Sequence, residues 1–291
     1  MNPSFSQDLL SLTKPRLSVL VILTAAGGFI LAPAQEIDWL TGFFTVLGTT
    51  ITVGSANTLN NYLERHTDQF MARTRNRPLP TGRIKPLIAL IFGLSLSAIA
   101  IPMLTFLANP LAALIAAIGL LSYVLAYTPM KRSSSLNTLV GAIPGAIPPL
   151  IGWAGAMEQI DFGGWLLFAL MFLWQIPHFL AISIYRKGEY EEAGLVMLPS
   201  THGLSATRRQ MLFYTFGLLP IPILLLATNV SGWATAIIGT ALGIWWFAQA
   251  VDGVKNQRGP EWARKFFFAS LIYLTVVFIV IGLDVLISIF Q

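Results

Sequence analysis

The stretch LIALIFGLSLSAIAIPMLTFL, residues 87–107, is 21 residues long and has no ionisable side chain. A helix of this length spans the ~30 Å hydrocarbon core of a bilayer, whereas an open strand cannot satisfy its backbone groups in lipid. Comparable apolar runs recur along the chain and are joined by short connections. The sequence therefore predicts an all-α, polytopic membrane protein with a single domain over residues 1–291. The nine predicted spans are 17–34, 39–60, 87–107, 110–128, 137–156, 164–185, 211–228, 232–250 and 267–289.

The composition of the chain agrees with a membrane location and excludes several chemistries. Hydrophobic residues make up 55% of the chain and charged residues only 11%, and the mean hydropathy of +0.70 is far above that of a soluble enzyme. The absence of cysteine excludes disulfides, a thiolate nucleophile and cysteine metal ligands. The N-terminal stretch MNPSFSQDLLSLTKPR has the features of neither a secretory signal nor a mitochondrial presequence. We therefore expect the first span to be retained.

The basic residues predict how the chain is oriented. If the N-terminus is cytoplasmic and nine spans alternate, all 18 Lys and Arg residues fall on the cytoplasmic side. The opposite loops read QEID, AN, MEQID and NVSG and contain no basic residue. This distribution follows the positive-inside rule. It predicts a multi-pass protein of the cytoplasmic (inner) membrane with its N-terminus inside and its C-terminus outside, and it explains the net charge of +5 without a nucleic-acid partner.

The stretch NNYLERHTDQFMARTRNRPLP, residues 60–80, concentrates charge in this apolar chain. The spacing of Asn60, Glu64 and Asp68 predicts that they stack on one face of a helix leaving the membrane. One amide oxygen and two carboxylates suit Mg²⁺, which completes its shell with water and phosphate oxygens. Arginines follow these residues in the chain, and each guanidinium group can donate two parallel hydrogen bonds to phosphate oxygens. The stretch predicts a site for Mg²⁺ and a diphosphate, although a cytoplasmic loop with acidic counter-charges would have a similar composition. The arginines assigned to the diphosphate are Arg73 and Arg77.

Two further clusters of polar residues are predicted at the same end of the bundle. The stretch YVLAYTPMKR, residues 123–132, ends in two basic residues that could reach the same anion. The sixth span carries a glutamine and a histidine at membrane depth, where polar side chains are costly and indicate a function. An acidic segment follows that span. The candidate binding residues of these clusters are Tyr127, Lys131, Arg132, Gln175, Glu189 and Tyr190, and the candidate catalytic residues are His178 together with Asn60, Glu64 and Asp68.

Four stretches of the chain resemble the UbiA superfamily of intramembrane prenyltransferases. The stretch NNYLERHTDQFMARTRNRPLPTG is similar to the first acidic motif of that superfamily, Asn-Asp-x-x-Asp-x-x-x-Asp followed by arginines. The stretches LTKPRLSVLVILTAAGGF, YTPMKRSSSLNTLVGAIPGAIPPLIGW and WQIPHFLAISIYRKGEYEEAGLVMLP are similar to the branch of the superfamily that farnesylates haem. The resemblance covers nearly the whole chain.

The resemblance implies both a fold and a reaction. The fold is a ring of nine helices around a central cavity that opens to the cytoplasmic side and to lipid. The donor is farnesyl diphosphate, the acceptor is haem B, and Mg²⁺ on Asn60, Glu64 and Asp68 is the cofactor. A haem vinyl group gains the farnesyl chain and water supplies a hydroxyl. The lipid bilayer surrounds the protein, and a haem A synthase or oxidase assembly factors are further expected partners.

The chain departs from the superfamily pattern at three places. Asn61 stands where the motif has Asp, Glu64 replaces the first metal-binding Asp, and the second Asp-x-x-x-Asp motif is absent. His178 and the acidic segment 189–192 lie in the region of that second motif, so the number of metal ions stays open. Three roles stay open for His178: a structural histidine bonded to a helix carbonyl, an axial ligand of haem iron, and a base for the quenching water.

Other functions fit parts of the sequence. A related prenyltransferase with an aromatic or quinone-precursor acceptor would be expected to carry a second acidic pair. A transporter or channel for an anionic lipid or metabolite would suit the intramembrane histidine, but the outer face offers little polarity. A structural subunit of an oxidase would not need the carboxylate register. We also expect the glycines and prolines of the fifth span to serve close packing or a kink, and Asp284 to lie at a solvated helix end.

Overall fold

The computed structural model describes residues 4–34 and 36–289. These residues form helices and no β-strand. Seven helical segments are long and apolar enough to cross a membrane, so the protein is an all-α, multi-pass membrane protein, as the sequence predicts. The α-helices are α1 (Phe5–Leu12), α2 (Pro15–Leu31), α3 (Trp39–Glu64), α4 (Pro86–Leu107), α5 (Pro110–Leu121), α6 (Thr128–Met130), α7 (Asn137–Met157), α8 (Phe162–Tyr185), α9 (Lys187–Glu192), α10 (Leu198–Thr201), α11 (Gly203–Leu218), α12 (Ile221–Ala227), α13 (Thr240–Lys255) and α14 (Pro260–Ile289).

The first two predicted spans, α2 and α3, are less apolar or shorter than the other seven. Helix α2 has 17 residues, fewer than any of those seven segments. Helix α3 has 26 residues but contains six threonines, which lower its hydropathy. Five of the six hydroxyls donate to carbonyls of the preceding turn, as Thr49 does to Thr45 at 2.7 Å, and the sixth, that of Thr41, donates to Asp38 Oδ2. The threonines therefore leave no hydroxyl unsatisfied in an apolar setting. Length and composition thus establish seven spans, and membrane crossing by α2 and α3 stays a prediction.

Several helices contain local changes of winding that the sequence does not predict. The span Pro110–Met130 becomes π-helical over Ser122–Tyr127, between α5 and α6. A second π-helical segment, Thr235–Gly239, precedes α13, and α11 and α12 are separated just before Ile221. π-Helical turns are frequent at functional sites because they shift side chains out of the regular helical register. The segment Ser122–Tyr127 carries two tyrosines that line the cavity described below.

The helices pack in two groups that meet at α7 and α8. In the N-terminal group α2, α3, α4, α5 and α7 contact one another in sequence, and α7 returns to α2. In the C-terminal group α8, α11, α13 and α14 close in the same way. At Gly152 of α7 an added methyl group would overlap the carbonyl oxygen of Ala25 in α2, so the absence of a side chain permits this close packing. The structure therefore confirms close packing as a role for glycine in the fifth predicted span.

Asp284 lies near the end of α14 and is partly exposed, and it makes contacts that the sequence did not predict. The backbone N–H groups of Gly232 and Thr235 donate to Asp284 Oδ2 at 2.9 and 2.8 Å. These donors lie at the start of the π-helical segment, where the first N–H groups have no partner within the helix. Asp284 therefore caps that segment from a neighbouring helix.

Candidate functional site

A cavity of about 500 Å³ lies among the helices of the N-terminal group and α8. Its described lining comes from α2, α3, α5, α7, α8 and the segment that continues α5, together with Leu271 of α14, Tyr190 of α9 and residues of the loops. The resemblance implied a ring of all nine spans, but fewer helices supply this lining. The volume is within the range of pockets that bind small molecules.

One end of the cavity is polar and carries a net positive charge. Among the described residues that line it, the charged side chains are four basic and two acidic ones, so their net charge is +2. The residues come from the N-terminal end of α2, the C-terminal end of α3 and the loops that follow α3 and α6. Such an arrangement attracts an anionic ligand into a setting of reduced dielectric constant. The charged residues are Lys14, Glu64, Asp68, Arg73, Arg77 and Lys131.

Asn60 contacts a lysine that the sequence analysis does not assign to the site. Lys14 Nζ donates to Asn60 Oδ1 at 2.9 Å, and Asn60 Nδ2 donates to Thr128 Oγ1 at 3.1 Å. Burial, followed by the positive charges of Arg77 and Lys131, lowers the pKa of Lys14 to about 7. Lys14 has a positive φ of 52°, a conformation that costs a non-glycine residue free energy. The fold thus holds an additional basic group beside the predicted metal ligand.

Glu64, the last residue of α3, pairs with Lys131. The Lys131 Nζ to Glu64 Oε1 distance is 2.7 Å, and both side chains are largely buried. The same ammonium group lies 4.5 Å from the centre of the Tyr127 ring, within the range of a cation–π contact. Burial alone would lower the pKa of Lys131, but the contacts with Tyr127 and Glu64 outweigh it and raise that pKa. Lys131 therefore stays charged at the cavity.

Asp68 does not lie on the helical face predicted for it, although it lines the cavity. Helix α3 ends at Glu64, and Asp68 begins a 3₁₀ turn, Asp68–Phe70. The chain tightens there because the backbone N–H of Thr67 donates to the Glu64 carbonyl three residues earlier, at 2.9 Å. The predicted stacking of three residues four apart on one α-helix is therefore wrong. The 3₁₀ turn brings Asp68 to the polar end of the cavity. The hydroxyl of Thr74, in the loop that follows, donates to the Asp68 backbone carbonyl at 2.7 Å.

Arg77 holds the Asp68 carboxylate in place. Arg77 Nη1 donates to Asp68 Oδ2 at 2.7 Å and to Asn61 Oδ1 at 3.1 Å. Asn61, which stands where the superfamily motif has Asp, also donates from Nδ2 to the Leu12 carbonyl at 2.8 Å. Asn61 therefore links the end of α1 to the arginine instead of adding a third acid to the cavity.

The oxygen atoms at this end suit a hard divalent cation. Asp68 is 1% exposed, and its Oδ1 is buried without a hydrogen-bond partner among the described residues. An unpartnered buried carboxylate oxygen is costly unless a cation or a donor satisfies it. The described residues contain no group of three His, Cys, Asp or Glu side chains close enough to hold a metal. Two carboxylates and an amide oxygen nevertheless match Mg²⁺, which takes its remaining ligands from water and phosphate.

The other end of the cavity is apolar and aromatic, and it contains His178. The imidazole ring stacks on Trp174, with 4.6 Å between ring centres, and lies 4.7 Å from the centre of Phe267. His178 Nδ1 lies 2.6 Å from Ser270 Oγ of α14. The predicted structural role assumed a bond to a helix carbonyl, whereas the partner is a serine hydroxyl on another helix.

Glycines of α7 make room for two side chains of the site. A methyl group on Gly145 would overlap Gln175 Oε1, and one on Gly141 would overlap the Tyr127 ring. Gln175 is buried, and its Nε2 donates to the Met171 carbonyl at 3.0 Å. One face of α7 therefore determines how far Gln175 and Tyr127 extend into the cavity.

The structure brings most of the predicted site residues together, with two exceptions. Arg132 is exposed on the turn after α6, and Glu189 pairs with Arg186 at 3.0 Å, so neither belongs to the described lining. Tyr190 does line the cavity, and burial raises its pKa. The predicted residues in the lining are Asn60, Glu64, Asp68, Arg73, Arg77, Tyr127, Lys131, Gln175, His178 and Tyr190.

Four residues of the site were not predicted from the sequence. Lys14 was counted only as a positive-inside charge, although its position directly before the proline that starts α2 could have indicated a role. Tyr123 precedes Tyr127 by four residues, a spacing that could have been noticed. Trp174 and Ser270 lie within apolar runs and carry no separate signal in the sequence.

A positively charged, metal-compatible end joined to an aromatic cavity among membrane helices is an arrangement suited to transferring an apolar group from a phosphorylated donor. The model of the UbiA prenyltransferase family matches residues 20–272. The chain belongs to the UbiA prenyltransferase family.

Within that family, the chain is similar to curated proteins named protohaem IX farnesyltransferase. The chain is 49% identical over 282 residues to the protohaem IX farnesyltransferase of Myxococcus xanthus, with 97% of this chain and 96% of the relative covered. It is 48% identical over 281 residues to that of Anaeromyxobacter dehalogenans, with 97% and 95% covered.

Solved structures support the same fold. A digeranylgeranylglyceryl phosphate synthase structure superposes with a TM-score of 0.83 at 18% identity, covering 96% of this chain and 98% of the other. A UbiA homologue from Archaeoglobus fulgidus bound to GPP and Mg²⁺ gives a TM-score of 0.67 at 14% identity, with 94% and 99% covered. At these identities the likeness concerns the fold alone.

Proposed function

We propose that this protein transfers the farnesyl group of farnesyl diphosphate to a vinyl group of haem B, with addition of water, to give haem O. The observation that carries the proposal is one cavity in which a basic, carboxylate-containing end continues into an aromatic end with a buried histidine. The curated relatives named protohaem IX farnesyltransferase support this reaction over a general prenyl transfer.

The polar end is the proposed site for the diphosphate and Mg²⁺. Asn60, Glu64 and Asp68 would hold Mg²⁺, and the unpartnered Asp68 Oδ1 supports this assignment. When bound, Mg²⁺ would help neutralise the charge that develops on the leaving diphosphate. Each of the three ligands now contacts a basic side chain, so we infer that donor binding exchanges these contacts for contacts with phosphate oxygens. The basic residues proposed to bind the diphosphate are Lys14, Arg73, Arg77 and Lys131.

The aromatic residues next to this end have a proposed role in the bond-breaking step. The allylic C–O bond breaks and its electron pair leaves with the diphosphate, which the basic residues stabilise. The farnesyl cation would then lie near Tyr123 and Tyr127, whose ring centres are 5.3 Å apart. Aromatic faces attract a cation, and the largely apolar lining limits its capture by water.

The haem acceptor is proposed to bind at the aromatic end, near His178 and Gln175. The vinyl π electrons form the new C–C bond with the farnesyl carbon, and the positive charge moves to the vinyl carbon next to the porphyrin. A water molecule adds its oxygen to that carbon and releases a proton. Both substrates are apolar while the leaving group is soluble in water, which explains why the charged groups cluster at one end of a membrane bundle.

The topology belongs to the same proposal. We infer nine membrane crossings, including α2 and α3, because both helices pack against the established spans α4 and α7. The polar end of the cavity would then face the cytoplasm, with the N-terminus inside and the C-terminus outside the inner membrane. A haem A synthase or oxidase assembly factors would receive the product, because haem O is too apolar to leave the membrane readily.

An acceptor comparison tests the proposed function. The purified protein, with farnesyl diphosphate and Mg²⁺, is offered haem B or 4-hydroxybenzoate in separate reactions, and the products are separated by chromatography. We expect farnesylated haem and no prenylated aromatic acid. Prenylation of the aromatic acid without modification of haem would favour the related enzyme with a quinone-precursor acceptor. Consumption of neither acceptor would contradict an enzymatic role of the cavity.

A further inference from the structure

The hydrogen bonds around His178 determine which ring nitrogen carries the proton. Ser270 Oγ donates its single proton to the Phe267 carbonyl, 2.5 Å away within α14. The hydroxyl can then only accept at its 2.6 Å contact with His178 Nδ1. A neutral imidazole has one N–H group, so Nδ1 is protonated and Nε2 keeps a free lone pair.

The packing around His178 holds the ring in this orientation. Trp174 stacks on one face, and its Nε1 donates to the Ser270 carbonyl at 2.8 Å, so the same serine fixes both side chains. The Phe179 ring contacts the imidazole edge-on, at 5.3 Å between ring centres. His178 lines the cavity, and none of the described residues forms a hydrogen bond with its Nε2.

We propose that Ser270 is a positioning residue that presents the bare Nε2 of His178 to the iron of the haem acceptor. This inference rests on the proposed function and assigns one of its residues a specific role. Histidines that ligate metals usually donate their other N–H to a fixed acceptor, which sets the tautomer and the ring direction. Here the Ser270 hydroxyl is that acceptor, and its own proton is held by the Phe267 carbonyl.

The surroundings favour an iron ligand over a general base. A base would become an imidazolium ion, and no ion pair links His178 to a carboxylate within the described part of the chain. Its hydrogen-bond partner is a neutral hydroxyl, and the ring is buried among aromatic side chains. Iron ligation keeps the imidazole neutral and uses the lone pair that the hydrogen bond leaves free.

A nitrogen-15 NMR experiment on the haem-free protein tests the tautomer directly. The chain has only three histidines, and His66 and His202 are exposed. Replacing these two by glutamine in histidine-labelled protein leaves His178 as the only signal. We expect a protonated Nδ1 and an unprotonated Nε2. Protonation at Nε2 in the otherwise native protein would overturn the proposal, whatever the acceptor of the enzyme is.

Haem titration of a matched pair of variants tests the positioning role. Ser270→Thr keeps the hydroxyl, whereas Ser270→Val has nearly the same shape without it. We expect Ser270→Val to bind haem B at least ~10-fold more weakly than Ser270→Thr and to lose the absorption spectrum of a histidine-ligated iron. Binding of farnesyl diphosphate with Mg²⁺ should be the same in both variants. Equal haem affinities and spectra for the pair would overturn the inference.

A histidine variant separates the failure of this inference from the failure of the proposed function. His178→Gly should lose the ligated spectrum and regain it when free imidazole is added. If the native protein binds haem B and His178→Gly leaves its spectrum unchanged, the inference fails while the proposed function stands. If the native protein binds no haem B at all, the proposed function fails. If Ser270→Val does not fold, the NMR measurement of the His178 tautomer and the imidazole experiment with His178→Gly still test the inference.

Discussion

Asp68 and Asp8 are two buried aspartates that each pair with an arginine, but only one of them lines the cavity. Asp68 contacts Arg77 at 2.7 Å beside the proposed diphosphate site. Asp8 contacts Arg83 at 3.0 Å and lies outside the cavity lining. Loss of either carboxylate leaves an arginine without its partner, which lowers the free energy of unfolding. Variants of the two aspartates can therefore distinguish a loss of stability from a loss of catalytic activity.

Asp68→Asn should reduce prenyl transfer at least ~100-fold, because alignment of the metal and the leaving group contributes several kcal/mol to the rate. Asp8→Asn should lower the unfolding temperature but leave turnover per folded molecule nearly unchanged. Turnover at saturating Mg²⁺ and thermal unfolding would be measured on both variants. Near-normal turnover of Asp68→Asn would remove this residue from the site.

Lys14, unlike Arg77 and Lys131, has no ion pair with a carboxylate among the described residues. It contacts the neutral Asn60, and burial lowers its pKa to about 7. A bound diphosphate would supply a negative charge and stabilise the ammonium form. Lys14→Gln keeps a donor for Asn60 but cannot carry that charge.

We expect Lys14→Gln to lower kcat/KM for the farnesyl donor ~10-fold, the loss of one charge-assisted contact with phosphate. Lys85→Gln is a suitable control, because Lys85 is exposed at the start of α4. Kinetics at varied donor concentration would compare the two. Equal effects of both substitutions would indicate that only the general surface charge matters.

At the scale of helices, the apolar runs correctly predicted seven of the nine proposed spans, because hydropathy and length are local properties of the sequence. The ends of the helices were harder to predict. The pattern at Asn60, Glu64 and Asp68 predicted a continuous helix, but Asp68 lies in a 3₁₀ turn. Its ion pair with Arg77 of the following loop is a contact that helical spacing does not reveal. The π-helical segment Ser122–Tyr127 likewise has no local sequence signal.

Helix α7 offers a test of how a backbone position shapes the site. Gly145→Ala should push the Gln175 amide into the cavity, because the overlap is with the end of a flexible side chain and not with the backbone. We expect haem binding to weaken several-fold while the fold survives. Gly282→Ala in α14 meets open space and should be neutral or slightly stabilising. Haem titration of both variants measures the difference, and an unchanged affinity in Gly145→Ala would remove Gln175 from the acceptor site.

At the scale of the whole molecule, the site is assembled from residues far apart in the sequence. The alternating spans predicted that all basic loops share one end of the bundle, and the contacts of Lys131 with Glu64 and of Lys14 with Asn60 agree with that arrangement. The pairing of His178 with Ser270 spans 92 residues and links two apolar helices. Hydropathy cannot predict such a contact, because the serine resembles any other small residue in a span.

The proposed topology can be measured with single cysteines, because the native chain has none. Ser133 and Gln159 are exposed in loops at opposite ends of α7. In intact cells an impermeant thiol reagent should label Gln159→Cys, whereas Ser133→Cys should react only after lysis. Labelling of Ser133→Cys alone in intact cells would reverse the orientation and place the polar end of the cavity outside.

The central claim is that one cavity joins a farnesyl group and a hydroxyl from water to haem. The most direct measurement is mass spectrometry of the haem product formed in oxygen-18 water from haem B, farnesyl diphosphate and Mg²⁺. We predict a single product that contains one farnesyl group and one oxygen-18 atom, and that forms at least ~100-fold more slowly when Asp68→Asn replaces the native protein. Unmodified haem with both substrates present, or a farnesylated haem without the label, would contradict the claim.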